Sequence, residues 1–225
     1  MKHYLQKELG KIKKEILSLG AMVEDRFQKS AQAVKTNNTD LAKFVIENDI
    51  EIDTREIEIE EECLKLLALY QPVAIDLRSI IVAIKINNDL ERIGDLSANI
   101  SQRLLTATKD LPCAYNYDYS FMAAQTGKMF KMSLDSLVSM DIELAYQALA
   151  MDEEINLMRD EAFDAMKKAI KKVPKNVSTI INMYLISRHI ERVGDHITNI
   201  AEEVIHLVEG EIIRHKNKEY IKKLK

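Results

Sequence analysis

The chain has 225 residues, with 32 Lys and Arg against 36 Asp and Glu, 47% hydrophobic and 30% charged residues. That composition excludes a disordered chain, and the net charge of −4 argues against a nucleic-acid binder, which carries a basic excess. With six Gly, three Pro and no Trp, long helices are expected rather than a sandwich, a barrel or a doubly wound sheet.

The N-terminal segment has charges scattered through it and no apolar core, so it does not read as a signal peptide. Leu5, Leu9, Ile12, Ile16, Leu19, Val23, Phe27, Ala31 and Val34 step by threes and fours, which predicts one helix running across Gly10 and Gly20. The polar cluster from Thr36 to Asp40 breaks it, and Asn38, Thr39 or Asp40 can cap the next helix. Leu41, Val45, Ile52, Ile59, Cys63, Leu66 and Tyr70 then predict a single second helix, ended by Pro72. A third helix runs to about Thr108.

Residues 109–119 read as a linker. Pro112 breaks helix there, and Tyr115, Tyr117 and Tyr119 alternate without helical period. The acidic charge balance favours an irregular packed connection over an aromatic nucleic-acid platform. Helices over about 120–139, 142–172 and 176–209 come next, with Pro174 between the last two and a basic tail from Arg214. The longest stretch without a charge, Asn176 to Ser187, is too short to span a bilayer. Cys63 and Cys113 lack metal-ligand spacing and read as reduced thiols of a cytosolic protein.

The sequence repeats. Residues 90–100, LERIGDLSANI, match 190–200, IERVGDHITNI, at six of eleven positions. Asp49-x-Glu51-Ile52-Asp53 matches Asp152-x-Glu154-Ile155-Asn156 at an offset of 103, as Phe27-x-x-Ser30 matches Phe130-x-x-Ser133. The expected fold is therefore all-α: two tandem, similar three-helix bundles with six long helices, over residues 1–108 and 120–215, with a basic tail at 216–225.

Each third helix carries Glu-x-x-x-Asp-x-x-x-Asn: Glu91, Asp95 and Asn99, then Glu191, Asp195 and Asn199. Steps of four place these on one helical face. Asp49 and Asp53 form another such pair, whose copy, Asp152 with Asn156, has lost one charge. Most helical carboxylates are simply solvated, and the acidic run over 47–62 reads that way. Two features set the third helices apart. Like charges at this spacing cost about 0.2–0.5 kcal/mol, yet the pair recurs. Gly94 and Gly194 each cost about 1 kcal/mol relative to Ala inside a helix, yet they recur too. Both point to close approach of a backbone, a partner or an ion. Oxygen-only ligands suit hard or borderline cations such as Mg²⁺, Mn²⁺, Ca²⁺ or iron.

His189 and His196 have no counterpart in the first copy and read as local contacts rather than ligands; Arg92 and Arg192 are expected to pair with carboxylates. The nucleotide-loop, zinc-protease and serine-hydrolase motifs are absent, and only Glu203-Val-Ile-His206 fits the Glu-x-x-His of a di-iron site. No Gly-rich anion nest suggests direct phosphate binding. A non-enzymatic reading is expected, with a carboxylate-bridged metalloenzyme as the alternative.

Leu90-Glu91-Arg92-Ile93-Gly94-Asp95 and Ile190-Glu191-Arg192-Val193-Gly194-Asp195 resemble the two hallmark helices of the PhoU phosphate-uptake regulators. Gln71-Pro72-x-x-x-Asp76-Leu77-Arg78 and the closing Gly210-Glu211-x-x-Arg214-His215 are similar to further segments of that family. The resemblance spans nearly the whole chain. It implies a cytoplasmic negative regulator of phosphate uptake and the phosphate-starvation response. That regulator would bind the ATPase of the Pst phosphate ABC transporter and the PhoR sensor kinase, reaching the membrane only through partners. It also implies clusters of divalent or trivalent metal ions (iron, manganese, zinc or magnesium), held by Asp49, Asp53, Glu91 and Asp95 in the first bundle and by Asp152, Glu191 and Asp195 in the second, where Asn156 departs from the pattern. Apolar helix faces are expected to dock the transporter or a second copy in a homodimer.

Overall fold

Residues 2–110, 115 and 117–213 are described by the structure, a computed structural model; Pro112, Cys113 and the segment from Arg214 onward lie outside the described residues. The first helix, α1 (Lys2–Thr36), buries Leu5, Ile12, Ile16, Leu19, Val23, Phe27 and Val34, the stripe expected from the spacing. Asn38 caps the next helix, α2 (Thr39–Glu47), its side chain accepting from the backbone N–H of Asp40 and Leu41 at 3.1 and 2.9 Å.

The second helix is not continuous. α2 stops at Glu47, and α3 (Ile50–Tyr70) starts after Asn48 and Asp49. The cause is local. The Asn48 amide donates to the Phe44 carbonyl at 2.8 Å, offering the chain an alternative to continued helix without any Gly or Pro. The apolar spacing carries through the break, which hid it from periodicity.

At the following corner Gln71 and Ala74 hold left-handed backbone at φ 45° and 50°, each costing a non-glycine residue roughly 1–2 kcal/mol. α4 (Ala74–Ala107) then crosses the molecule. A 3₁₀ turn at 108–110 leads toward α5 (Ser120–Ser139), α6 (Ile142–Lys172), a 3₁₀ turn at 174–176 and α7 (Val177–Glu209). Asp141 caps α6 by accepting from Glu143 N–H at 2.9 Å. Gly210 ends α7 in the left-handed region at φ 83°.

α1, α2–α3 and α4 make the first bundle; α5, α6 and α7 make the second. Among the described residues there is no strand. α4 and α7 run antiparallel at the heart of the molecule. Lys85 donates to both carboxylate oxygens of Glu203 at 3.1 Å, Asp89 meets His196 Nδ1 at 2.8 Å and Asn199 Nδ2 at 3.0 Å, and Arg103 reaches Asn182 at 3.3 Å. Buried Ile80, Ile86, Leu90, Ile93, Ile100, Ile186, Ile190, Ile197 and Val204 pack around this seam.

The tyrosines of the linker are packed, as expected. Tyr115 donates to Ala162 O at 3.2 Å, Tyr117 to Met158 O at 2.9 Å, and Tyr119 to Met183 O. Arg78 lies against Gly210, where a β-carbon would stand 2.1 Å from its Nη1, so two family-like segments meet at one end of the molecule. Among the described residues no helix is long and apolar enough to cross a membrane.

Candidate metal centre

The break between α2 and α3 sets up the site. Asp49 occupies the N-cap position of α3, and Asp53 follows one turn later on the same face. Both face α4, which presents Asp95 and, one turn before it, Glu91. One oxygen from each of Asp49, Asp53 and Asp95 lies within 4.8 Å of the other two. Gly94 makes this approach possible: a β-carbon there would stand 3.0 Å from Ile52 Cδ1 and 3.3 Å from Asp49 Oδ1.

Crowded carboxylates in a half-buried cleft resist ionisation. Burial, then Asp53 and Asp95, push Asp49 up to about 6, against the opposing pull of Arg26. Burial and Asp95 likewise raise Glu91, and burial, Glu60 and Asp53 raise Glu56. Glu91 Oε2 is buried without a hydrogen-bond partner. Arg92 touches the solvent side of the cluster, 3.3 Å from Glu91 Oε2 and 3.2 Å from Asp95 Oδ2, so this arginine pairs with its own neighbours. Convergent hard oxygens and mutual repulsion are what a multivalent cation relieves, and the donor set fits one.

The second bundle places Asp152, Glu191 and Asp195 differently. Asn156 donates to Asp152 Oδ2 at 2.8 Å. Arg188 donates to Glu191 Oε1 at 2.5 Å, and Arg159 Nε lies 4.0 Å from the same oxygen. Burial raises both Asp152 and Glu191, with Asp195 adding to each. Asp195 itself is exposed at the rim. Among the described residues, Asp49, Asp53 and Asp95 form such an acidic group, while the three second-bundle carboxylates are not gathered in the same way.

Of His189 and His196, the second makes the local contact expected, and the first buries both ring nitrogens without a hydrogen bond. His196 pairs with Asp89. His189 is lowered to about 4 by burial and by Arg103, Arg192 and Arg188. Asn199 bonds Asp89 rather than facing the site, and Asn99 is exposed. Glu47, Glu51, Glu58, Glu60, Glu61 and Glu62 are exposed, as a solvated face should be. Sequence reasoning passed over Glu56, Arg26, Arg159 and Arg188. A signal for three of them was present. Aligning the repeats pairs Glu56 with Arg159 and Asn88 with Arg188.

A family model described as "PhoU domain" matches the chain twice, at residues 16–104 and 120–204. The phosphate-specific transport system accessory protein PhoU homologue of Aquifex aeolicus is 32% identical over 213 residues, covering 95% of this chain and 96% of that protein. Its counterpart from Pseudomonas aeruginosa is 32% identical over 209 residues, covering 92% and 86%. The crystal structure of PhoU from Pseudomonas aeruginosa superposes with a TM-score of 0.87 at 31% identity, over 92% of this chain and 99% of that one. That of the phosphate transport system regulatory protein PhoU from Streptococcus pneumoniae gives 0.82 at 27% identity, over 92% and 98%.

Proposed function

Because the chain belongs to the PhoU family, we propose that it is a negative regulator of phosphate uptake and of the phosphate-starvation response, acting in the cytoplasm by binding the ATPase of the phosphate-specific transporter and the PhoR sensor kinase. The observation that carries this reading is the double PhoU match, one to each bundle, together with relatives of near-equal length that are accessory proteins of the phosphate-specific transport system. A regulator of this kind works by docking, not turnover. The absence of known catalytic motifs from the sequence agrees with that. The exposed apolar side chains at one corner, Leu69, Val73, Ile75 and Leu77, are suited to a protein partner or a second copy.

Asp49, Asp53 and Asp95, with Glu91 beside them, would hold a divalent or trivalent cation. A bound cation supplies positive charge that neutralises the cluster. The protein's own part is structural. Asp49 and Asp53 bring the start of α3 to α4, next to the α2–α3 break. Asp49 is thus both a ligand candidate and the last residue of that break, the N-cap of α3.

Deleting the gene in its source bacterium tests the regulator reading. In phosphate-rich medium the deletion should switch on both a phosphate-starvation reporter and phosphate uptake. Unchanged reporter and uptake would overturn it.

A further inference from the structure

The two bundles carry the same Glu-x-x-x-Asp motif among different partners, and we infer that the second-bundle site is closed by the protein's own arginines, so that this chain holds metal in its first bundle alone. The inference rests on the cation site proposed above for Asp49, Asp53 and Asp95.

Three aligned positions change in the same electrostatic direction. Asp53 becomes Asn156, Glu56 becomes Arg159, and Asn88 becomes Arg188. In the first bundle Asp49, Asp53, Glu56, Glu91 and Asp95 face Arg92 and Arg26, and Arg26 is already held by Glu51 at 2.6 Å and Asp25 at 3.1 Å. In the second bundle Asp152, Glu191 and Asp195 face Arg159, Arg188, Arg192 and His196, of which Arg159 also lies 3.3 Å from Asp160 and His196 pairs with Asp89. The first site carries a large uncompensated negative charge. The second is offset by three arginines, which cannot be deprotonated.

The contacts agree with the charge balance. Glu191 is 5% exposed, and a carboxylate buried to that degree needs a counter-charge. Arg188 provides it through a charge-assisted bond of 2.5 Å. Asn156 cannot ionise, and its amide already occupies Asp152 Oδ2. An entering cation would have to displace both donors and sit beside two fixed positive charges. Unpartnered atoms do not separate the two sites, since each leaves carboxylate oxygen and one arginine Nε without a hydrogen bond: Glu91 Oε2 with Arg26 Nε in the first, Glu191 Oε2 and Asp152 Oδ1 with Arg159 Nε in the second. The backbone differs too. α6 runs unbroken through Asp152, whereas α3 begins immediately after Asp49. A β-carbon on Gly194 would keep 3.7 Å from Asp152 Oδ1, so α6 lies less tightly against α7 here than α3 does against α4 at Gly94.

The test is metal content. Purified full-length chain is loaded with Mn²⁺ alone, desalted and assayed for metal per chain, with helicity checked by circular dichroism. Asp152→Asn with Asp195→Asn should keep the wild-type metal content, while Asp49→Asn with Asp53→Asn should fall to background. Asp53→Asn alone, which gives the first bundle the Asp–Asn pair of the second, should also lose metal and serves if the double variant unfolds. Asn156→Asp with Arg159→Glu and Arg188→Asn rebuilds the first-bundle pattern in the second and should retain about twice the wild-type metal. Loss of about half the metal in the Asp152/Asp195 variant, or retention of about half in the Asp49/Asp53 variant, would overturn the inference. Wild type without metal would defeat the first-bundle reading instead. The rebuilt variant then decides separately: metal gained upholds closure by arginine, and none gained overturns it.

Discussion

Gly94 lies directly against Asp49: a β-carbon on the glycine would stand 3.3 Å from the aspartate's Oδ1. The same absent carbon would press on Ile52 Cδ1 at 3.0 Å, and Ile52 is fully buried and cannot move aside freely. A helix-weakening residue therefore sits where α4 must approach the first turn of α3. In the second bundle the corresponding distances from Gly194 are 3.6 Å to Ile155 Cδ1 and 3.7 Å to Asp152 Oδ1, ordinary contact.

One substitution should consequently have opposite effects at the two sites. Gly→Ala gains up to about 1 kcal/mol of helix propensity. Gly194→Ala should keep most of it and raise the denaturation midpoint. Gly94→Ala should lose it to crowding, typically about 1–3 kcal/mol, and end less stable than wild type. Denaturant unfolding of the two variants decides; equal stabilisation of both would refute the tight fit at Gly94.

Asp49 should leave a signature in the pH dependence of the metal-free protein. Its folded value of about 6 lies above the unfolded value near 4. Below about pH 4 both states hold the proton and no penalty arises. Between about 4 and 6 the unfolded chain releases its proton first, so folding loses stability as pH rises, at most roughly 2–3 kcal/mol, and the loss persists above 6. Asp49→Asn should raise the melting temperature in chelator clearly at pH 7.5 and little at pH 4.5. Protection by added Mn²⁺ should weaken as pH falls through 6, because the ligand must be ionised.

Lys85 and Glu203 tie α4 to α7, and Glu203 is 3% exposed. Lys85→Ala removes a counter-charge from a buried carboxylate and should cost on the order of 2 kcal/mol, the carboxylate's other contacts and the lysine's partial exposure moderating the loss. Lys85→Met with Glu203→Leu should recover most of it. A double-mutant cycle by thermal melting measures the coupling.

Tyr117→Phe removes one hydroxyl, the donor to Met158 O, and should cost roughly 0.5–1.5 kcal/mol. Phosphate regulation in the source bacterium should be unchanged by it. That pairing separates a tyrosine that fastens the linker to α6 from one that binds a ligand.

Much of this molecule was written in local pattern. The stripe from Leu5 to Val34, the breaks at Pro72 and Pro174 and the recurrence of 90–100 at 190–200 reflect a 3.6-residue period and a few breakers, and α1, α4, α5, α6 and α7 lie close to the expected ranges. The α2–α3 break was not legible, because Asn48 ends α2 through a side-chain bond that leaves the apolar spacing intact.

The sequence by itself determined the helices, the duplication and the acidic positions, since those depend on neighbours one turn apart. The tertiary structure decided which acids become a site. Asp49 and Asp95 are 46 positions apart in sequence, and they meet because α3 packs on α4 across Gly94. Glu191 carries the same motif letters as Glu91, but Arg159 and Arg188 reach it from a facing helix and from the preceding turn. A carboxylate's ionisation and its readiness for a cation depend on burial and on charges brought through space, and those depend on packing rather than on motif spacing.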